Sequence, residues 1–194
     1  MATKQRLTQA LGGALVFATF GCALGAYGVY SLGRTDAPWL IGIPLVITMI
    51  LIMVLMKVQR RVEALPAEPV TPEMSQRDVR GRRVFTIVNI AQGIAIFIAV
   101  QVWFNLHRPE YLAPTIAVIV GVHFFALAGP MQLPSHRIPG ALLLALGIGT
   151  IAAVPSHQSW AVVVGLGSAL ILWGCYALRL REVLSGLLRP DSAQ

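Results

Sequence analysis

Four side chains in the middle third of this sequence carry hydrogen-bonding chemistry in apolar surroundings. His123 stands near the centre of PTIAVIVGVHFFALAG, Pro114 to Gly129, a run greasy enough to cross a bilayer. Asn89 and Gln92 stand three apart in the apolar stretch before it, hence on one face of a helix. Thr115 lies two turns from His123, roughly on the imidazole's side. A tight turn near His107 makes the two stretches antiparallel neighbours. That pairing predicts His123 level with Gln92, and Asn89 one turn closer to the cytoplasm.

Such a group supports two readings. An unpaired polar group at the bilayer centre costs several kcal/mol, so these side chains should face one another or water. One reading is an interhelical hydrogen bond that holds two helices together, worth about 1 kcal/mol. The other is a polar seam that binds or passes a small solute, or a proton-sensitive group. The residues to test are His123, Gln92, Asn89 and Thr115.

Other chemistries find less support. The eight Asp and Glu residues fall in loops or tails, so no carboxylate relay or buried sodium site is expected across the bilayer. His107, Glu110 and His157 share one side but lack the close spacing of a metal site. His123 has no histidine partner at its depth to hold haem, and Met131 is the candidate axial partner near the cytoplasmic end. No nucleophile elbow, Walker loop or dinucleotide fingerprint is present. Cys22 and Cys175 fall at different depths and are predicted to stay reduced. The expectation is a protein without metal, cofactor or catalytic residues.

The elements that must position these groups follow from composition. Mean hydropathy is +0.72, with 56% apolar and 12% charged residues. That is about half the charge of an aqueous domain. Apolar residues gather in six blocks, about 8–32, 38–56, 84–104, 111–130, 138–154 and 159–178. Each approaches the roughly 20 residues needed to cross hydrocarbon. Spanning strands would alternate every second residue, and these blocks do not. The first block runs well past a signal-peptide core. Lipid leaves bare amides unsatisfied, so the blocks are predicted helices of an all-α integral membrane protein.

The net charge of +7 is informative through its placement. With six crossings and a cytoplasmic N-terminus, all but Arg34 and Arg108 of the 15 Lys and Arg residues fall on one side. The positive-inside bias therefore predicts a single six-helix domain of three hairpins, with both termini in the cytoplasm of a bacterial inner-membrane host. No soluble domain presents a basic, aromatic-studded face, which argues against nucleic acid.

The long connection 57–83 is the one sizeable cytoplasmic feature. Thr71-Pro72-Glu73 reads as a helix start, followed by Arg77, Arg80, Arg82 and Arg83. A basic cluster beside a membrane attracts anionic head groups at about 1 kcal/mol per charge. It serves as a topology anchor or as a lipid-recognition site.

Small residues predict the packing, because helices in lipid gain from close approach. Ridges run through Ala14, Ala18, Cys22 and Ala26, through Ala141, Ala145, Gly149 and Ala153, and through Ala161, Gly165 and Ala169. They predict that helices 1, 5 and 6 pack closely, or that a ridge forms a homo-oligomer contact, with helix 2 facing lipid. The functional expectation is a membrane protein that binds or passes a small solute between helices 3 and 4. The alternative is a non-catalytic subunit or scaffold that contacts partner proteins or lipids.

Overall fold

The computed structural model describes residues 4–33, 37–66, 72–129 and 136–188. Among them the main elements are α1 (Lys4–Tyr30), α2 (Gly42–Glu63), α3 (Pro72–Asn105), α4 (Leu112–Ala128), α5 (Arg137–Ala153) and α6 (Trp160–Leu188). No described residue is in a strand. Five helices are long and apolar enough to cross a membrane, and α5 is a shorter apolar helix. Short 3-10 turns at Pro38–Ile41 and Pro109–Tyr111 open α2 and α4 on a proline, whose fixed φ suits a helix start.

Three helices outrun their apolar blocks. α2 continues to Glu63 and α3 begins at Pro72, so most of the stretch expected as a 57–83 loop is helical. The helix start at Pro72 lies where the sequence places it, and Thr71 lies outside the described residues. The helix that follows runs unbroken into the membrane span rather than standing apart. α6 likewise continues ten residues past 178, to Leu188. Hydropathy marks where a chain leaves hydrocarbon, whereas a helix stops where its hydrogen bonds stop. KVQRRVE at the end of α2 is rich in good helix formers, so the helix persists into water.

The α3–α4 turn has a local explanation. The Arg108 N–H donates to the Trp103 carbonyl at 2.9 Å and the His107 N–H to the Phe104 carbonyl at 3.1 Å. His107 sits between them at φ +54, the left-handed residue that closes a helix in this pattern. Histidine tolerates that region better than most residues.

The packing rests on glycines. A Cβ on Gly165 of α6 would fall 2.5 Å from the Gly28 Cα, and one on Gly28 of α1 would fall 2.7 Å from the Leu166 nitrogen. Along the same contact Gly25 meets Ala169, and Gly21 lies under the Trp173 indole. Ala14 and Ala18 are fully buried beside it. α1 and α6 therefore approach backbone to backbone, the close approach that stabilises helix pairs in lipid. α2 joins them through the Tyr176 hydroxyl, which donates to the Leu51 carbonyl. The Lys4 ammonium donates to the carbonyls of Glu63 and Leu65, tying the start of α1 to the end of α2.

α5 behaves differently from its expected role. Its main neighbour is α4, not α1. The contact runs through Gly140 and Gly147, where a Cβ would meet the Gly121 and Pro114 carbonyl oxygens at 3.0 and 2.7 Å. Ala141, Ala145 and Ala153 of the expected ridge are exposed instead. Periodicity four apart tells which residues share a face, but small residues occur on two faces of α5. The face with two glycines approaches more closely and wins the contact. α3 is the most exposed helix, with 6% of its span buried against 39% for α4 and α6. α2, expected to face lipid, is also mostly exposed, at 17%.

Candidate functional site

The expected seam between α3 and α4 does not assemble as a hydrogen-bonded group among the described residues. Asn89 is exposed and its amide donates to the Phe85 carbonyl of its own helix at 2.9 Å. Thr115 accepts from the Trp103 indole at 3.0 Å, near the opposite end of α4 from His123. Gln92 is half-buried, and no hydrogen bond joins it to His123. His123 itself is half-buried and faces the Val88 backbone of α3. Its Nδ1 is buried without a hydrogen-bond partner among the described residues. α3 is largely exposed, and its rotation about its own axis leaves Asn89 on the side turned away from α4.

Among the basic residues, α3 carries Arg77, Arg80, Arg82 and Arg83 in its first four turns. The Arg83 side chain is exposed, and those of the other three lie outside the described residues.

A different polar cluster forms at the end of the bundle where α5 begins and α6 ends. Arg179, expected just beyond the last crossing, lies within α6 and is 5% exposed. Its guanidinium donates to His136 Nδ1 at 2.6 Å, and His136 is itself buried. Arginine has no acceptor, so Nδ1 must accept and the imidazole proton sits on Nε2. The second guanidinium nitrogen is 3.3 Å from the Glu182 carboxylate, which is largely exposed. Phe17 and Phe124 flank His136 with ring centroids at 5.9 Å. The Phe124 ring also meets His123 edge-on at 5.7 Å, so one phenyl separates the two imidazoles. A pocket of about 300 Å³ opens beside the cluster, with Phe17, Cys175 and Arg179 on its walls.

Burial, then the adjacent Arg179 charge and that of His123, push His136 down to about 4 from 6.5. A neutral histidine is the form that can accept from Arg179. The unfolded state protonates near 6.5, whereas the folded state takes the proton only near 4. Stability is therefore full above pH 6.5 and falls as pH drops towards 4, by roughly 1.4 kcal/mol per pH unit. Thermal unfolding in detergent across that window should show the loss. His136→Gln, which keeps an acceptor and removes the titration, should flatten it.

The sequence offered one missed signal. His136 and Arg179 flank the apolar blocks of helices 5 and 6, and antiparallel neighbours bring such flanks together. Nothing in the spacing announces that the arginine is buried, because burial arises from α6 continuing past its apolar block beside α1.

The opposite end holds an aromatic group. Trp103 stacks on Tyr111 at 4.8 Å, and Tyr111 meets Trp160 edge-on at 5.0 Å. His157 and Glu110 approach to 3.9 Å, and Arg108 lies 3.8 Å from the same carboxylate. No three metal-ligating side chains gather among the described residues. Both cysteines are free. Tryptophan and tyrosine with a polar rim suit a membrane–water interface.

Fold and site together define a polytopic α-helical membrane protein with a buried arginine–histidine pair at one end. Set against protein families, curated proteins and solved structures, the chain matches none.

Proposed function

We propose that this is a small membrane-embedded binding protein that takes up a solute from its basic end, without catalysing a reaction. The supporting observation is the buried Arg179 guanidinium on the wall of an open pocket, bonded to the neutral His136 behind it. Burying that charge beside a neutral partner costs stability, which an incoming polar or anionic solute would offset. His123, whose Nδ1 has no partner among the described residues, lies one phenyl ring further in. On this proposal His123 lies at the inner end of the path that a bound solute takes, and Gln92, level with it by residue count, is a further candidate contact. In this reading the chain weaves six times as three hairpins, with both termini on the basic, cytoplasmic face of a bacterial inner membrane. The charge asymmetry supports that threading, as does Lys4 lying beside the end of α2.

A second reading, a non-catalytic subunit or scaffold, has one observation in its favour. α3 packs chiefly on α4 and leaves the Asn89 and Gln101 amides exposed, where a partner helix or second copy could cover them. Native mass spectrometry of the detergent-purified protein separates the two. The expected result is a small-molecule adduct that His123→Leu and Arg179→Met both weaken. A bare chain, or one that flies only with a protein partner, would overturn solute binding in favour of the subunit reading.

A further inference from the structure

Resting on that reading, we infer that the pocket receives the phosphate head of an anionic phospholipid, with its acyl chain lying along Ile138 and Leu178. The pocket has two unlike sides. Ile138 and Leu178 are each 49% exposed on the outer surface of the bundle, so a chain reaches them from lipid without entering the core. Arg179 and Arg181 supply the polar side. An amphiphile matches this division, and a freely soluble ion uses only half of it.

The charge balance specifies the head group. Arg179 is buried, yet its closest partner is a neutral imidazole, which accepts a hydrogen bond without cancelling the charge. Glu182 is the one carboxylate on the pocket, and it is more than half exposed at 3.3 Å. An anion entering the pocket competes with Glu182 for the guanidinium and compensates the buried charge better than a solvated carboxylate does. Guanidinium presents five N–H donors in a planar fork that matches phosphate oxygens. Arg181 is exposed and adds a second positive charge on the rim. Among the described residues the start of α5, one residue before Ile138, has no side-chain cap, so the positive end of that helix lies beside the same region. These features recognise a phosphate ester, and the exposed apolar wall selects one that carries a chain.

The test uses the full chain in phosphatidylcholine nanodiscs, with and without phosphatidylglycerol, and a parallel arm with inorganic phosphate. Thermal unfolding and native mass spectrometry are the readouts. Phosphatidylglycerol is expected to raise the unfolding temperature and to stay bound. Arg181→Gln should lower its retention about tenfold, the loss of one charge-assisted contact. Glu182→Gln should increase retention by removing the competitor, and Lys57→Gln, at an exposed position of α2 away from the pocket, should leave it unchanged. Arg181 and Glu182 lie on the surface, so the comparison holds even if an Arg179 variant fails to fold. Equal protection by inorganic phosphate would overturn a lipid ligand, as would an effect of Lys57→Gln equal to that of Arg181→Gln. Retention of a neutral monoacylglycerol at the same site would leave solute binding standing and remove the anionic head group. If no ligand shifts unfolding or stays bound, both readings fall.

Discussion

His136→Leu should destabilise the protein by about 3–5 kcal/mol, and Arg179→Met should cost distinctly less. The two residues share one hydrogen bond at 2.6 Å, so a simple pairwise view expects equal losses. Burial breaks that symmetry. Removing the imidazole leaves a guanidinium inside the bundle with only the exposed Glu182 as partner, and arginine cannot shed its proton. Removing the arginine leaves a neutral imidazole short of one bond, and the unbranched methionine chain fills part of the space. The double variant should therefore recover much of what His136→Leu loses. A double-mutant cycle on equilibrium unfolding in mixed micelles measures this directly. Additive losses would show that water reaches Arg179 and that the pair is not the buried unit described here.

The second large effect is at the α1–α6 crossing. Gly165→Ala and Gly28→Ala should each cost about 3 kcal/mol, at the upper end for overpacking. The added methyl would fall 2.5 Å from the Gly28 Cα in the first case and 2.7 Å from the Leu166 nitrogen in the second. Both obstacles are backbone, which cannot rotate away as a side chain does. Gly165→Leu should prevent α1 and α6 from docking at all. Gly93→Ala is the control, since nothing lies within 4 Å of its added methyl. There the gain in helix propensity, up to about 1 kcal/mol, should make the variant neutral or slightly more stable. Equal behaviour of Gly93→Ala and Gly165→Ala would refute the close crossing.

The crossing also shows where sequence reasoning succeeds and where it stops. The ridge through Ala14, Ala18, Cys22 and Ala26 was legible in part: Ala14 and Ala18 are buried, but further along α1 the close contact passes through Gly21, Gly25 and Gly28 beside that ridge. The same reasoning misjudged α5, where Ala141, Ala145 and Ala153 form an equally regular ridge that faces outward. Two small-residue faces on one helix look alike in one dimension. Only the partner's surface, here Gly121 and Pro114 of α4, decides between them.

That no hydrogen bond joins Gln92 to His123 has a related reason. Placing Gln92 level with His123 sets their depth, which follows from residue counts along two helices joined by a short turn. Whether they face each other depends on rotation about each helix axis. In a soluble protein the hydrophobic stripe reveals that rotation, because one side meets water. In lipid both sides are apolar, and the stripe that would report it is absent.

What the sequence by itself determined is therefore a matter of length and composition: six apolar blocks and an all-helical chain whose helices are long and apolar enough to cross a membrane. These follow from the bilayer's thickness and its refusal of bare amides, which act on each segment separately. What only the tertiary structure decided is which polar groups meet. Arg179 and His136 come together because α6 continues past its apolar block beside α1, while the Gly28–Gly165 and Gly121–Gly140 contacts set the helix rotations. Those contacts join residues remote in the chain, and no local pattern records them.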